Sequence, residues 1–259
     1  MTSLAIENQS DTFSLSRLWL LVRMQVLSSY RSWLTGCAAI AGIILIASMF
    51  ADIDDTNFYA AALNNVVIFI GIFITSRSFQ ELHDKTKNEL FLLIPASSLE
   101  KTLARLLVVT VGFLISAFVF IFIVSVLCEL IKPLLFGPRL PVFNPFTNQI
   151  PNLIATYLFL QSFYFLGASW FKKNHLVKTI LTQFAIVLSL ALFSLLVIRI
   201  VFASYINVEL DFNIDTAQLF AQLSGPVEII VKLFMVLLTL ACWAIAWMKV
   251  RETEVNEGV

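Results

Sequence analysis

Residues 90–128 read LFLLIPASSLEKTLARLLVVTVGFLISAFVFIFIVSVLC. Pro95 ends an apolar patch, and Ser97 and Glu100 then stand at capping-box spacing. At that spacing the serine hydroxyl meets a free N–H of the first turn and the carboxylate reaches back to the cap. No second proline follows before Cys128, and no charge follows Arg105. About 20 apolar residues suffice to cross a bilayer as a helix. The stretch therefore predicts a helix that starts near Ser98 and runs unbroken into a membrane, with Lys101 and Arg105 on its cytosolic turns.

Five other apolar runs flank this one. The six candidate spans are residues 34–51, 58–76, 106–128, 152–171, 180–203 and 227–248. A chain in lipid must satisfy its backbone internally, by helices or by a closed barrel. These runs are continuous rather than alternating, which selects helices. The fold class is thus an all-α polytopic membrane protein. A composition of 59% hydrophobic residues and a mean hydropathy of +0.89 fit that class and not an ordinary soluble domain.

Charge then orients the chain. One set of connections contains the N-terminal segment, residues 77–105, residues 172–179 and the C-terminal tail, and it carries 13 of the 17 Lys and Arg. The other set, 52–57, 129–151 and 204–226, has only Lys132 and Arg139. The positive-inside rule places both termini and the 77–105 loop in the cytoplasm. The acidic loops 52–57 and 204–226 lie outside and argue against a nucleic-acid partner. Glu7 and Asp11 stand where a cleavable leader would be basic and then apolar. The first span is therefore expected to act as its own targeting signal.

The chain divides into a polar stretch at 1–12, a helix at 13–33, a six-span domain at 34–248 and a tail at 249–259. Leu15, Leu18, Leu21, Val22 and Val26 recur at helical spacing, interleaved with Arg17, Trp19, Arg23, Arg31 and Trp33. This is an amphipathic helix on the membrane surface, or else a plain extension of the first span. Five prolines in 129–151 predict a non-helical outer connection. Asp215 can cap a short outer helix over 215–223, which Gly225-Pro226 would stop.

Catalytic and cofactor patterns are missing. There is no HExxH and no GxxxxGK[ST]. Gly167-Ala168-Ser169 at the end of the fourth span is similar to an intramembrane serine motif, but a serine nucleophile needs a nearby base. The two histidines, His83 and His175, fall in cytoplasmic loops. The small residues are better read as allowing close helix packing. Cys37, Cys128 and Cys242 are far apart in sequence and read as packing residues, without metal or disulfide. The chain is not expected to be an enzyme. Arg199 and Lys232 lie within spans, near their outer ends. They either snorkel and pair, Lys232 with Glu228, or attract an anionic substrate or lipid headgroup. Asn64, Asn65, Gln161 and Gln183 either join helices by hydrogen bonds or line a pathway.

The loop 77–105 combines charge with an exposed apolar run. Glu81, Asp84, Lys85, Lys87 and Glu89 precede Phe91, Leu92, Leu93 and Ile94. Such a run either docks a partner or lies on the membrane surface. The segment RLWLLVRMQVLSSYRSW before the first span, the six spans with both ends inside, and LFLLIPASSLEKTLARLL entering the third span resemble the permease subunit of a type 2 bacterial ABC exporter. The resemblance implies a separate ATPase subunit that carries ATP and Mg2+ and docks on residues 80–100. It also implies a second copy of this chain and residence in the bacterial cytoplasmic membrane. The rival reading is a non-transport scaffold, assembly factor or sensor.

Overall fold

The computed structural model describes residues 13–51, 57–83, 96–135, 141–171, 174–201 and 216–257. They form seven helices. Helix α1 covers Leu15–Met49. Helix α2 covers Phe58–Asn65, a π-helical turn at Val66–Ile70, and Gly71–Ser76. A short α3, Gln80–His83, follows. Helix α4 covers Ser98–Leu107, a second π turn at Val108–Gly112, and Phe113–Leu135. Then come α5 (Ile150–Trp170), α6 (His175–Val201) and α7 (Thr216–Glu257). Five helices are long and apolar enough to span a membrane by themselves, and the bent α1 supplies the sixth. The chain is a multi-pass helical membrane protein.

Helix α1 bends by 59° between Leu15–Ser28 and Trp33–Met49. The first limb is amphipathic, and the bend frees it from the axis of the span. Leu15, Trp19, Leu20 and Met24 on this limb are exposed, while Leu18, Leu21 and Val22 are half-buried. The limb thus has one apolar side turned outward, as a helix lying on a membrane surface needs.

Helices α4 and α7 extend past their apolar runs. At two places this corrects the sequence reading. Gly225-Pro226 does not stop a short helix: α7 continues through it from Thr216 to Glu257. The proline removes one helical donor, and a helix that continues into an apolar span tolerates that loss. The outer connection after the third span is also shorter than expected. Helix α4 reaches Leu135, and Pro151 sits in the first turn of α5, where its missing N–H costs nothing.

Packing is closest where side chains are smallest. A methyl at Gly71 would meet Phe113 at 2.7 Å and collide with the Tyr157 ring. A methyl at Gly167 would collide with the Thr179 hydroxyl. Close contact of α2 with α5, and of α5 with α6, depends on these glycines. One buried cluster joins α1, α2, α4 and α5 around Leu63, Phe113 and Tyr157. A second joins α2, α4, α5 and α7 around Phe79, Phe165 and Val250. Beyond its first turns, α6 leaves its apolar side chains exposed, from Leu181 at 61% to Ile200 at 75%.

Two outcomes test this architecture. Gly167→Ala should destabilise the detergent-solubilised protein by about 1–3 kcal/mol through overpacking, and Thr179→Ala in the same chain should recover part of the loss. A thermal melt measures both. Single cysteines on a cysteine-free background should react with an impermeant thiol reagent in intact cells at Leu140 and Phe212 and stay unlabelled at Lys85 and Lys173. The reverse pattern would invert the topology.

Candidate functional site

The largest set of polar interactions gathers at the end of the bundle that carries most of the basic residues, around the first turns of α4. Ser97 has extended backbone (φ −67°, ψ 152°) and its Oγ accepts from the Glu100 N–H at 3.3 Å. Glu100 Oε2 accepts from the Ser97 N–H at 3.0 Å, so both bonds of a capping box are present.

Glu100 does more than cap its own helix. Its side chain is fully buried, and Oε1 accepts from the Ser14 N–H at 2.6 Å. The same oxygen lies 3.3 Å from Nη2 of Arg17. Ser14 precedes α1, and its N–H is among the donors that the start of a helix leaves without an internal partner. One carboxylate therefore holds the beginnings of two helices, 86 residues apart in sequence.

The next residues reach other elements. Lys101 Nζ is 3.0 Å from Glu254 Oε1, and the Ser98 hydroxyl donates to the other oxygen of that carboxylate. Glu254 belongs to the last turns of α7, which thereby pack on α4. Arg105 donates to the Ser78 carbonyl, and its guanidinium lies 5.0 Å from the Phe79 ring centroid. Lys101 and Arg105 are each only 5% exposed. They are spent inside the protein instead of facing the cytosol. Five polar contacts from Ser98, Glu100, Lys101 and Arg105 thus join α4 to α1, to α7 and to the turn after α2. A tie of this kind transmits displacement, because moving one buried charge without its partner costs several kcal/mol.

The predicted docking segment precedes this junction in sequence. Asp84, Lys85, Lys87, Glu89, Phe91, Leu92, Leu93 and Ile94 lie outside the described residues. Glu81 is in α3. Both ends of the segment are held: Leu82 and Phe79 are buried on one side, and the Ser97 cap lies on the other. Lys232 pairs with Glu228 at 2.6 Å on an exposed face, the paired reading of that residue. Arg199 is exposed in the last turn of α6.

A second polar set lies inside the bundle. The Tyr157 hydroxyl donates to the carbonyl of Val109, in the π turn of α4. The Thr75 hydroxyl is buried without a hydrogen-bond partner. Gln161, one turn beyond Tyr157, is fully buried and neither amide atom has a hydrogen-bond partner. It does not join helices by hydrogen bonds in this conformation. Asn64 and Asn65 are exposed. Nearer the acidic end, the Tyr59 hydroxyl donates to Glu129 Oε1 at 2.8 Å, both buried. The Ser169 hydroxyl donates to the Leu166 carbonyl within its own helix. Among the described residues no group of three or more His, Cys, Asp or Glu could hold a metal ion.

Sequence reasoning found Ser97 and Glu100 but missed Ser14, Arg17 and Glu254. The one available signal was a run of ionisable residues, Glu100, Lys101 and Arg105, immediately before an apolar span, where burial demands partners. No family model, no curated protein sequence and no solved structure matches this chain.

The junction is testable by amide hydrogen exchange. Ser97→Ala should cost about 1 kcal/mol and speed exchange at 97–103. Glu100→Ala removes the acceptor of two backbone N–H groups and the counter-charge beside Arg17. It should cost about 3 kcal/mol and speed exchange at 14–20 as well. Faster exchange confined to 97–103 would show that the tie to α1 is incidental.

Proposed function

We propose that this chain is the membrane-spanning subunit of an ABC transporter, an exporter in which two copies each hold a separate ATPase subunit. The observation that carries this reading is the buried junction at the start of α4, directly after the charged and apolar segment 84–95. A transporter driven by a partner needs a stiff connection between the docking segment and several spans at once. Glu100, Lys101 and Arg105 make such a connection, to α1, α7 and the turn after α2 respectively.

In this reading ATP and Mg2+ bind the partner, and this chain performs no hydrolysis. Closure of two ATPases pushes on residues 80–100. The push reaches α4 through its capped first turn and is shared with α1 and α7. Yielding falls at the π turns Val66–Ile70 and Val108–Gly112, where the helical ladder is interrupted. Tilting of α2 and α4 above the junction then alternates access across the bacterial cytoplasmic membrane. The exposed apolar surface of α6 supplies area for the second copy or for lipid.

Replacing Leu92 and Leu93 by Asp tests the reading. Two charges placed in a desolvated contact cost several kcal/mol of binding. A P-loop ATPase without spans of its own should crosslink to position 91 in the wild type and fail to co-purify with the variant, which still inserts. Co-purification of such an ATPase at the wild-type level would remove this docking surface. Failure to crosslink any ATPase would favour a scaffold, assembly factor or sensor.

A further inference from the structure

We propose that the junction of α5, α6 and α7 at the basic end is a headgroup site for an acidic glycerophospholipid, with Lys178 and Lys249 as its cations. The argument starts from two neighbouring residues. Trp170 ends α5 and is 55% exposed, and Phe171 follows it. Lys249, from α7, places its Nζ 5.0 Å from the centroid of the Trp170 ring. Lys178, from the first turn of α6, places its Nζ 5.8 Å from the centroid of the Phe171 ring. Ammonium groups from two helices thus converge on consecutive aromatic residues of a third.

The depth suits a headgroup. Tryptophans at span ends sit at the level of the polar lipid groups, and basic pockets between spans at that level take anionic headgroups. Lys178 is exposed, and the Lys249 side chain is 29% exposed. The aromatic rings hold both ammonium groups at the rim of the protein, where solvent or a headgroup can reach them. One carboxylate competes: Glu252 is 2.8 Å from Lys249. It is 57% exposed, and exposed pairs of this kind contribute little, so a phosphate can displace or share it. The other cation–aromatic pairs at this end differ. Arg31 lies over Tyr30 and Arg77 over Phe73, each a single cation on a ring of its own segment, and Arg105 over Phe79 is a single, buried cation. Only the α5 end gathers cations from two further helices among these pairs.

Titration of cardiolipin into the purified, detergent-solubilised full chain, read by native mass spectrometry, tests the site. Lys178→Gln with Lys249→Gln should weaken binding about fivefold per lysine, about 25-fold together. The matched control, Arg23→Gln on the first limb of α1 with Arg31→Gln at its bend, both exposed, removes the same charge and should change binding less than fivefold. Lys178→Arg with Lys249→Arg should retain binding within a few fold, which separates charge from folding. Phosphatidylcholine should show no difference between wild type and the double glutamine variant. Unchanged cardiolipin binding in that variant, or an equal loss in the α1 control, would overturn the proposal. Competition by millimolar inorganic phosphate would also overturn it, by making the site one for a free anion.

Discussion

The buried carboxylate of Glu100 is the constraint on which the basic end of this bundle depends. It accepts from the backbone of Ser14 and Ser97 and lies beside the guanidinium of Arg17. A buried carboxylate without donors would be prohibitively costly, so the groups around it are held wherever it goes. Helix α4 cannot start elsewhere without leaving the carboxylate unsatisfied. The first limb of α1 cannot lift away without uncovering it. The neighbouring pair of Lys101 with Glu254 extends the same logic to the last turns of α7.

The remainder of the bundle is organised by shape more than by charge. Glycines at 71 and 167 let helix backbones approach, and Tyr157 fills the space between α2 and α4. Its hydroxyl takes up a carbonyl in the π turn of α4, where the helical ladder leaves acceptors irregularly paired. The buried amide of Gln161 lies one turn away without a partner. A stiff, polar, fully engaged junction thus sits beneath a region whose hydrogen bonding is incomplete. In the proposed transport reading, that contrast gives force transmission to the former and movement to the latter.

Most of the spans were readable along the chain because a membrane imposes a length and an apolar composition that local sequence cannot hide. The Ser97 and Glu100 spacing was readable for a related reason, since a capping box is closed within four residues. The reading of 215–226 failed because Gly and Pro carry their usual weight only where water can take up the freed backbone groups. At the start of an apolar span, helix continuation is the lower-cost outcome.

Composition and periodicity by themselves determined that this chain spans a membrane as helices, and the Lys and Arg asymmetry supplied its expected orientation. The tertiary structure alone decided what Glu100, Lys101 and Arg105 do. Their partners stand 86, 153 and 27 residues away, beyond any local pattern. A span-initiating helix with charged first turns fits solvent and protein equally well until its neighbours are placed. Burial is a property of the assembled bundle, and it turns three ordinary charged residues into a junction.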